Sequence, residues 1–251
     1  MAAANKEKDW FGYKKVDPRE KTRMVESVFD SVASRYDLMN DLMSGGIHRL
    51  WKKRFVQMMS PRPARRLLDV AGGTGDIAFR YRATAGESAD ITVCDINREM
   101  LKVGRSRAID RGYVNGFDWV AGNAEKLPFG NREFHLYSIA FGLRNVTHID
   151  DALSEAFRVL KPGGQFFCLE FSHLKNAALQ KIYDEYSFRI IPEIGERVAK
   201  DRASYQYLVE SIRQFPKQAE LKARMEQAGF ERVTVTNLSG GIAAIHTGLR
   251  A

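Results

Sequence analysis

Residues able to do chemistry gather around two short glycine turns. In LLDVAGGTGDIA, residues 67–78, Gly73, Gly75 and Ala78 satisfy G-x-G-x-x-A, a spacing that lets backbone approach a ligand between a strand and a helix. Asp95 follows Gly75 by 20 residues, at the end of ITVCD, where a carboxylate can hold ribose hydroxyls. That much suits a dinucleotide equally well. The flanking charges discriminate. Asp76 stands at the start of the following helix and Asp69 just before the turn, so two carboxylates surround the helix N-terminus that a pyrophosphate would need. They repel phosphate and favour a cation; S-adenosylmethionine brings a sulfonium and an ammonium, and no phosphate.

The second turn lies in YSIAFGLRNV, residues 137–146, an apolar run that stops at Gly142 and places Arg144 and Asn145 beyond a strand exit. An arginine there is expected to face the ligand crevice and meet a negative charge, permanent or developing. GNAEKLPF, residues 122–129, offers Asn123 and adjacent backbone to an adenine edge. Tyr36, Asp37, Asn40 and His48 cluster in YDLMNDLMSGGIHRLW; Asp37 is the expected functional contact among them, with Tyr36 and Trp51 equally suited to packing. His135, His148, His173 and His246 have no metal-ligand spacing, and no metal is expected.

The elements that must position these residues follow from periodicity. Val25, Val28, Phe29 and Val32 recur at helical spacing after Pro18, and IHRLWKKRFVQMM repeats the pattern. From Arg66 onward the short β-rich runs RLLDV, DITVCD, FDWVAG, FHLYSIAFG and GQFFCLEF alternate with helical stretches. This predicts an α/β doubly wound sheet of five parallel strands. RVLKPGGQFFCLEFS, residues 158–172, is expected to end a helix at Lys161 and turn on Pro162-Gly163-Gly164. A helical section over about 176–228 precedes ERVTVTNL and IAAIHTGL, whose short Gly240-Gly241 link predicts an antiparallel hairpin at the sheet edge.

Composition sets outer bounds. The 251 residues are 44% hydrophobic, enough for one full core. A charge of +8 suits a solvated basic exterior, an anionic lipid surface or nucleic acid. Cys94 and Cys168 sit inside apolar runs, as buried thiols in a reducing cytosol would. No stretch has the length of a membrane span, and the opening MAAANKEKDW has no signal-peptide character, so a cytoplasmic location is expected.

Four stretches, YDLMNDLMSGGIHRLW, DVAGGTGD, FGLRNV and RVLKPGGQFFCLEFS, together resemble class I S-adenosylmethionine methyltransferases, and more closely the C-methyltransferases of ubiquinone and menaquinone biosynthesis. The ending FPKQAELKARMEQAGF…NLSGGIAAIHTG extends the resemblance over nearly everything from residue 17. It implies a Rossmann-like seven-stranded sheet ending in the hairpin. Residues 1–60 would be a helical extension over the active site, and 61–251 the methyltransferase domain, with 172–215 a helical insertion or lid. It implies S-adenosylmethionine against Thr74, Asp95, Asn123 and Ala124, with Asp95 on the ribose and Asn123 and Ala124 framing the adenine; Asp69, Gly73 and Gly75 join them as cofactor-binding residues from the reading of the turn itself. The family often has serine at Ala140, and many methyltransferases have glycine at Ala71. The substrate implied is a polyprenylated benzoquinol or naphthoquinol methylated on a ring carbon, with Arg144, Asn145 and Asp37 as catalytic candidates. A prenyl tail implies peripheral contact with the inner membrane face; a homodimer or a quinone-biosynthesis complex would be compatible, and nucleic acid is not expected. An NAD-dependent oxidoreductase, an RNA methyltransferase and a non-enzymatic scaffold are the alternatives.

Overall fold

The structure, a computed structural model, describes residues 9–32, 41, 44–174, 185, 188–189, 191–199 and 201–251. Tyr36, Asp37 and Asn40 lie outside the described residues. Strands β1 (Asp9–Phe11) and β2 (Lys14–Val16) form a small antiparallel hairpin. Helix α1 (Pro18–Val32) opens on Pro18, whose fixed φ suits a first helical turn; α2 spans His48–Met58. Then β3 (Leu67–Val70), α3 (Asp76–Ala85), β4 (Ile91–Asp95), α4 (Arg98–Asp110), β5 (Phe117–Ala121), β6 (Phe134–Ala140), α5 (Ile149–Val159) and β7 (Leu160–Phe171) alternate. After a helical turn at Ile191–Ile194 and a π-turn at Gly195–Ala199 come α6 (Arg202–Gln214), α7 (Gln218–Gln227), β8 (Glu231–Leu238) and β9 (Ala243–Leu249).

The sheet runs β5-β4-β3-β6-β7-β9-β8. Pairings from β5 through β7 are parallel, and β9 is antiparallel to both β7 and β8, so five parallel strands and an edge hairpin are observed as expected. Strand order reverses between β3 and β6, which is where such a sheet opens a ligand crevice.

Both faces of the sheet are covered, which is why the central strands β3, β4 and β6 are mainly apolar and buried. Alternation distributes each strand between two layers. Leu67, Phe167 and Leu169 pack with Trp51, Phe55, Tyr81 and Leu208 on one side. Leu68, Val70, Phe166 and Cys168 pack with Leu153, Ala156, Leu221 and Met225 on the other. Burying each large apolar side chain is worth roughly 1.5–3 kcal/mol, and together these layers hold the strand exits in place. Cys94 and Cys168 are buried free thiols. Trp51 is a packing residue, edge-on to Phe171 at 5.9 Å, with its indole N–H donating to Ser239 Oγ at 2.9 Å.

One boundary differs from expectation. α5 stops at Val159 rather than Lys161, because Leu160 already pairs with Phe134 in the sheet and Lys161, preceding Pro162, is disfavoured in helical conformation.

Candidate active site

The parallel strand exits converge on one cleft with about 1090 Å³ of empty space, part of it open to solvent. Its floor is the reversal between β3 and β6. Ala71 and Phe141, the residues after those strands, have φ of 50° and 57°, and backbone held this way costs roughly 1–3 kcal/mol per residue, strain that recurs at functional sites. Ala71 thus adopts the left-handed conformation for which glycine is the usual choice. Gly142 is required by proximity: a Cβ there would lie 2.4 Å from the Ala71 Cβ.

The glycine turn is built around Asp95. Gly73 (φ 52°) and Gly75 (φ 82°) supply left-handed backbone, and Gly75 N–H closes the turn on Gly72 O at 2.8 Å. Asp95 Oδ2 accepts the Gly73 N–H and Oδ1 the Asn97 N–H, each at 2.8 Å. A side chain at Gly73 would meet Met100 Cε at 3.0 Å. Gly75 sits beneath the turn, where a Cβ would press on Trp119 at 2.8 Å.

Asp69, Gly73, Thr74, Asp95, Asn123, Ala124 and Asn145 all line the cleft. Gly75 supports the turn from below rather than lining it. Asn123 Oδ1 accepts the Glu125 N–H at 2.9 Å, and Thr74 Oγ1 accepts from Arg107 Nη1 at 3.0 Å. Asn145 Oδ1 accepts from the Tyr207 hydroxyl at 3.0 Å, and Tyr207 is itself stacked on Phe11 with ring centroids 4.1 Å apart. From above, Thr22, Val25 and Glu26 of α1 complete the lining.

Charge in the cleft is mainly acidic. Asp69 is 1% exposed; its Oδ1 takes the Ser138 hydroxyl at 2.6 Å from the register-paired position on β6. Its buried Oδ2 has no hydrogen-bond partner among the described residues. Burial pushes Asp69 up to about 7 and Asp95 up to about 6. Asp76 behaves differently: it meets Lys52 Nζ and Arg80 Nε, each at 2.8 Å, and these cations hold its carboxyl below the usual range against the opposing effect of burial. Asp69 and Asp76, which the sequence sets together around the turn, therefore sit in different electrostatic surroundings, Asp76 paired with two cations and Asp69 buried against Ser138.

Arg144 does not face the crevice. Its side chain is wholly buried and its Nη1 lies 3.1 and 3.0 Å from the two carboxylate oxygens of Glu170 and 2.6 Å from Phe141 O. The Arg144 N–H also reaches Glu170 Oε1 at 3.3 Å. In the structure the negative partner of Arg144 is the buried carboxyl of Glu170. The expected place in the crevice lining is not observed, because β7, next to β6, brings that carboxyl against the Arg144 guanidinium. The pair instead fixes Leu143–Asn145, a 3₁₀ turn whose Asn145, with the preceding Gly142, lines the cleft.

Lys52 is a cleft residue the sequence reading missed. Its side chain is 3% exposed. The available signal was its place on α2: His48, Trp51, Lys52, Phe55 and Val56 form the buried stripe, and a lysine on such a stripe asks for a partner. His48 is buried with Nε2 2.8 Å from Asp41 Oδ1, and burial lowers its pKa. Among the described residues, no group of three or more His, Cys, Asp or Glu side chains is placed to hold a metal, and no helix is long and apolar enough to cross a membrane.

Solved structures share this architecture. An S-adenosylmethionine-dependent methyltransferase of Thermotoga maritima superposes with a TM-score of 0.61 at 19% identity, covering 90% of this chain and 100% of that one. One of Aquifex aeolicus gives 0.57 at 14% identity, covering 94% and 100%. Curated relatives are much nearer in sequence. The ubiquinone/menaquinone biosynthesis C-methyltransferase UbiE of Brucella canis is 57% identical over 240 residues, 95% of this chain and 89% of the relative. The mitochondrial 2-methoxy-6-polyprenyl-1,4-benzoquinol methylase of Xenopus laevis is 49% identical, covering 98% and 91%. The profile of the ubiE/COQ5 methyltransferase family matches residues 16–250; with these identities along almost the whole length, the chain belongs to that family.

Proposed function

We propose that this chain methylates a ring carbon of a polyprenylated quinol, a 2-methoxy-6-polyprenyl-1,4-benzoquinol or a demethylmenaquinol, with S-adenosylmethionine as donor. The observation carrying this reading is the 57% identity to a C-methyltransferase over 95% of the chain. The oxidoreductase, RNA and scaffold alternatives gain no support from these matches.

The cleft suits the donor. Asp95 would accept its ribose hydroxyls, and Asn123 and Ala124 would frame the adenine. Asp69, with a buried oxygen lacking a donor among the described residues, would face the cationic end. When bound, the cofactor supplies an electrophilic methyl group. The protein must then make the ring carbon nucleophilic, by favouring the phenolate over the phenol, and hold that carbon in line. Arg144, turned to Glu170, serves as a positioning residue for the Gly142–Asn145 turn. The Asn145 side-chain amide, oriented by Tyr207, is left to donate to a quinol oxygen, and Asp37 is the proposed further contact. Helix α1 would act as the cover of residues 1–60, and the 172–215 section as the insertion or lid of the 61–251 domain.

A prenylated substrate must come from a membrane. The β1–β2 hairpin exposes Trp10 (41%) and Tyr13 (49%) beside Lys14 and Lys15, with Lys15 Nζ 5.1 Å from the Trp10 ring. Aromatic rings interleaved with lysines suit an anionic interface. Deuteromethyl-labelled cofactor supplied with each reduced quinol should place the label on a ring carbon by mass spectrometry. Label on oxygen, or on neither substrate, would overturn the proposal.

A further inference from the structure

We infer that Lys52 is the recognition residue for the methionyl carboxylate of the cofactor, an inference that rests on the S-adenosylmethionine reading above. S-Adenosylmethionine carries one permanent negative group, and a cleft lined by Glu26, Asp69, Asp76, Asp95 and Glu125 is a poor place for it. Among the described lining residues one cationic side chain is present, and it is Lys52. Arg80 and Arg107 lie outside the lining, Arg80 pairing with Asp76 and Arg107 donating to Thr74.

Placement agrees with charge. Asp95 ends β4 and Asn123 follows β5, so the nucleoside belongs over that half of the sheet. The methionyl end then extends toward β3 and β6. Lys52 stands on that side, its Nζ 6.0 Å from the centre of the Phe141 ring that follows β6, and 2.8 Å from Asp76 Oδ2 at the start of α3. The Asp76 contact orients the ammonium and leaves it further N–H donors. Asp76 also keeps Arg80 when Lys52 is removed, so a substitution at 52 does not strand an unpaired carboxylate.

The probes are S-adenosylmethionine and decarboxylated S-adenosylmethionine, with dissociation constants measured by calorimetry on the full-length protein. The parent should bind the decarboxylated compound about tenfold or more weakly despite its larger positive charge, as loss of a charge-assisted hydrogen bond implies. Lys52→Met should weaken S-adenosylmethionine by about the same factor and leave the decarboxylated compound unchanged or tighter, since the cleft becomes more acidic. Lys52→Arg should restore most of the preference. Equal affinity of the parent for both probes, parallel losses in Lys52→Met, or an unchanged S-adenosylmethionine affinity with the loss confined to kcat would each overturn the inference. The parent measurement stands even if Lys52→Met fails to fold. Failure of the parent to bind S-adenosylmethionine at all would instead refute the cofactor reading.

Discussion

Replacing Arg144 with alanine removes the cation from a pair whose side chains are 0% and 1% exposed. Glu170 keeps the N–H groups of residue 144 (3.3 Å) and Phe171 (3.0 Å), but these do not neutralise a buried carboxylate. Breaking such a pair costs about 3–5 kcal/mol. For a chain of this length each kcal/mol shifts Tm by roughly 2–4 °C, so a fall of about 6–20 °C is expected. The deficit depends on pH. Burial already raises the Glu170 pKa, and Arg144 opposes that rise; without Arg144 the folded-state pKa climbs further above the unfolded one. Stability linked to protonated Glu170 is then full at low pH and lost as pH rises through the folded pKa, so the deficit should be smaller near pH 5 than near pH 8. Arg144→Met combined with Glu170→Leu, an apolar replacement of both partners, should recover most of the loss. Denaturant melts of the parent, Arg144→Ala and Arg144→Met, Glu170→Leu and the Met/Leu double variant give the assay. An Arg144→Ala protein within about 1 kcal/mol of the parent, with a large loss of kcat alone, would refute the structural role and return Arg144 to the substrate.

Three further outcomes are expected. Asp95→Ala should weaken cofactor affinity at least about tenfold, measured by calorimetry on protein whose fold is checked by circular dichroism. Asp69 and Asp95, raised to about 7 and about 6, contribute stability to the empty fold that is full below the unfolded carboxylate pKa and lost as pH rises through these values. A cationic cofactor favours their ionised forms, so the Tm gain on adding S-adenosylmethionine should grow from about pH 5 to pH 8; a pH-independent gain would contradict this. Gly142→Ala, whose new methyl meets Ala71 Cβ at 2.4 Å, should cost about 1–3 kcal/mol. Adding Ala71→Gly, which removes that methyl and suits φ of 50°, should restore both stability and turnover.

What the sequence disclosed was local in origin. The glycine turn, Asp95 twenty residues on and the β–α alternation are each set by neighbours along the chain, and the structure keeps all three. The partner of Arg144 was not legible, because Glu170 lies 26 residues away and meets it only through β6–β7 pairing. Reading Asp76 together with Asp69 as carboxylates left to meet a ligand overlooked Arg80 one helical turn later, a signal that was available, and Lys52 on a separate helix, which was not paired by spacing alone. Lys52 itself was hidden by its basic neighbours Lys53 and Arg54, which make a buried lysine look like part of a solvated face.

The central claim is that the cleft between the β3 and β6 exits holds the methyl donor while Arg144 stays with Glu170. A crystal structure with S-adenosylhomocysteine tests it most directly. The ribose hydroxyls should lie within hydrogen-bonding distance of Asp95, the adenine beside Asn123 and Ala124, and the Arg144–Glu170 pair should be intact. A ligand bound elsewhere, or an Arg144 side chain swung into the cleft to touch it, would contradict the account.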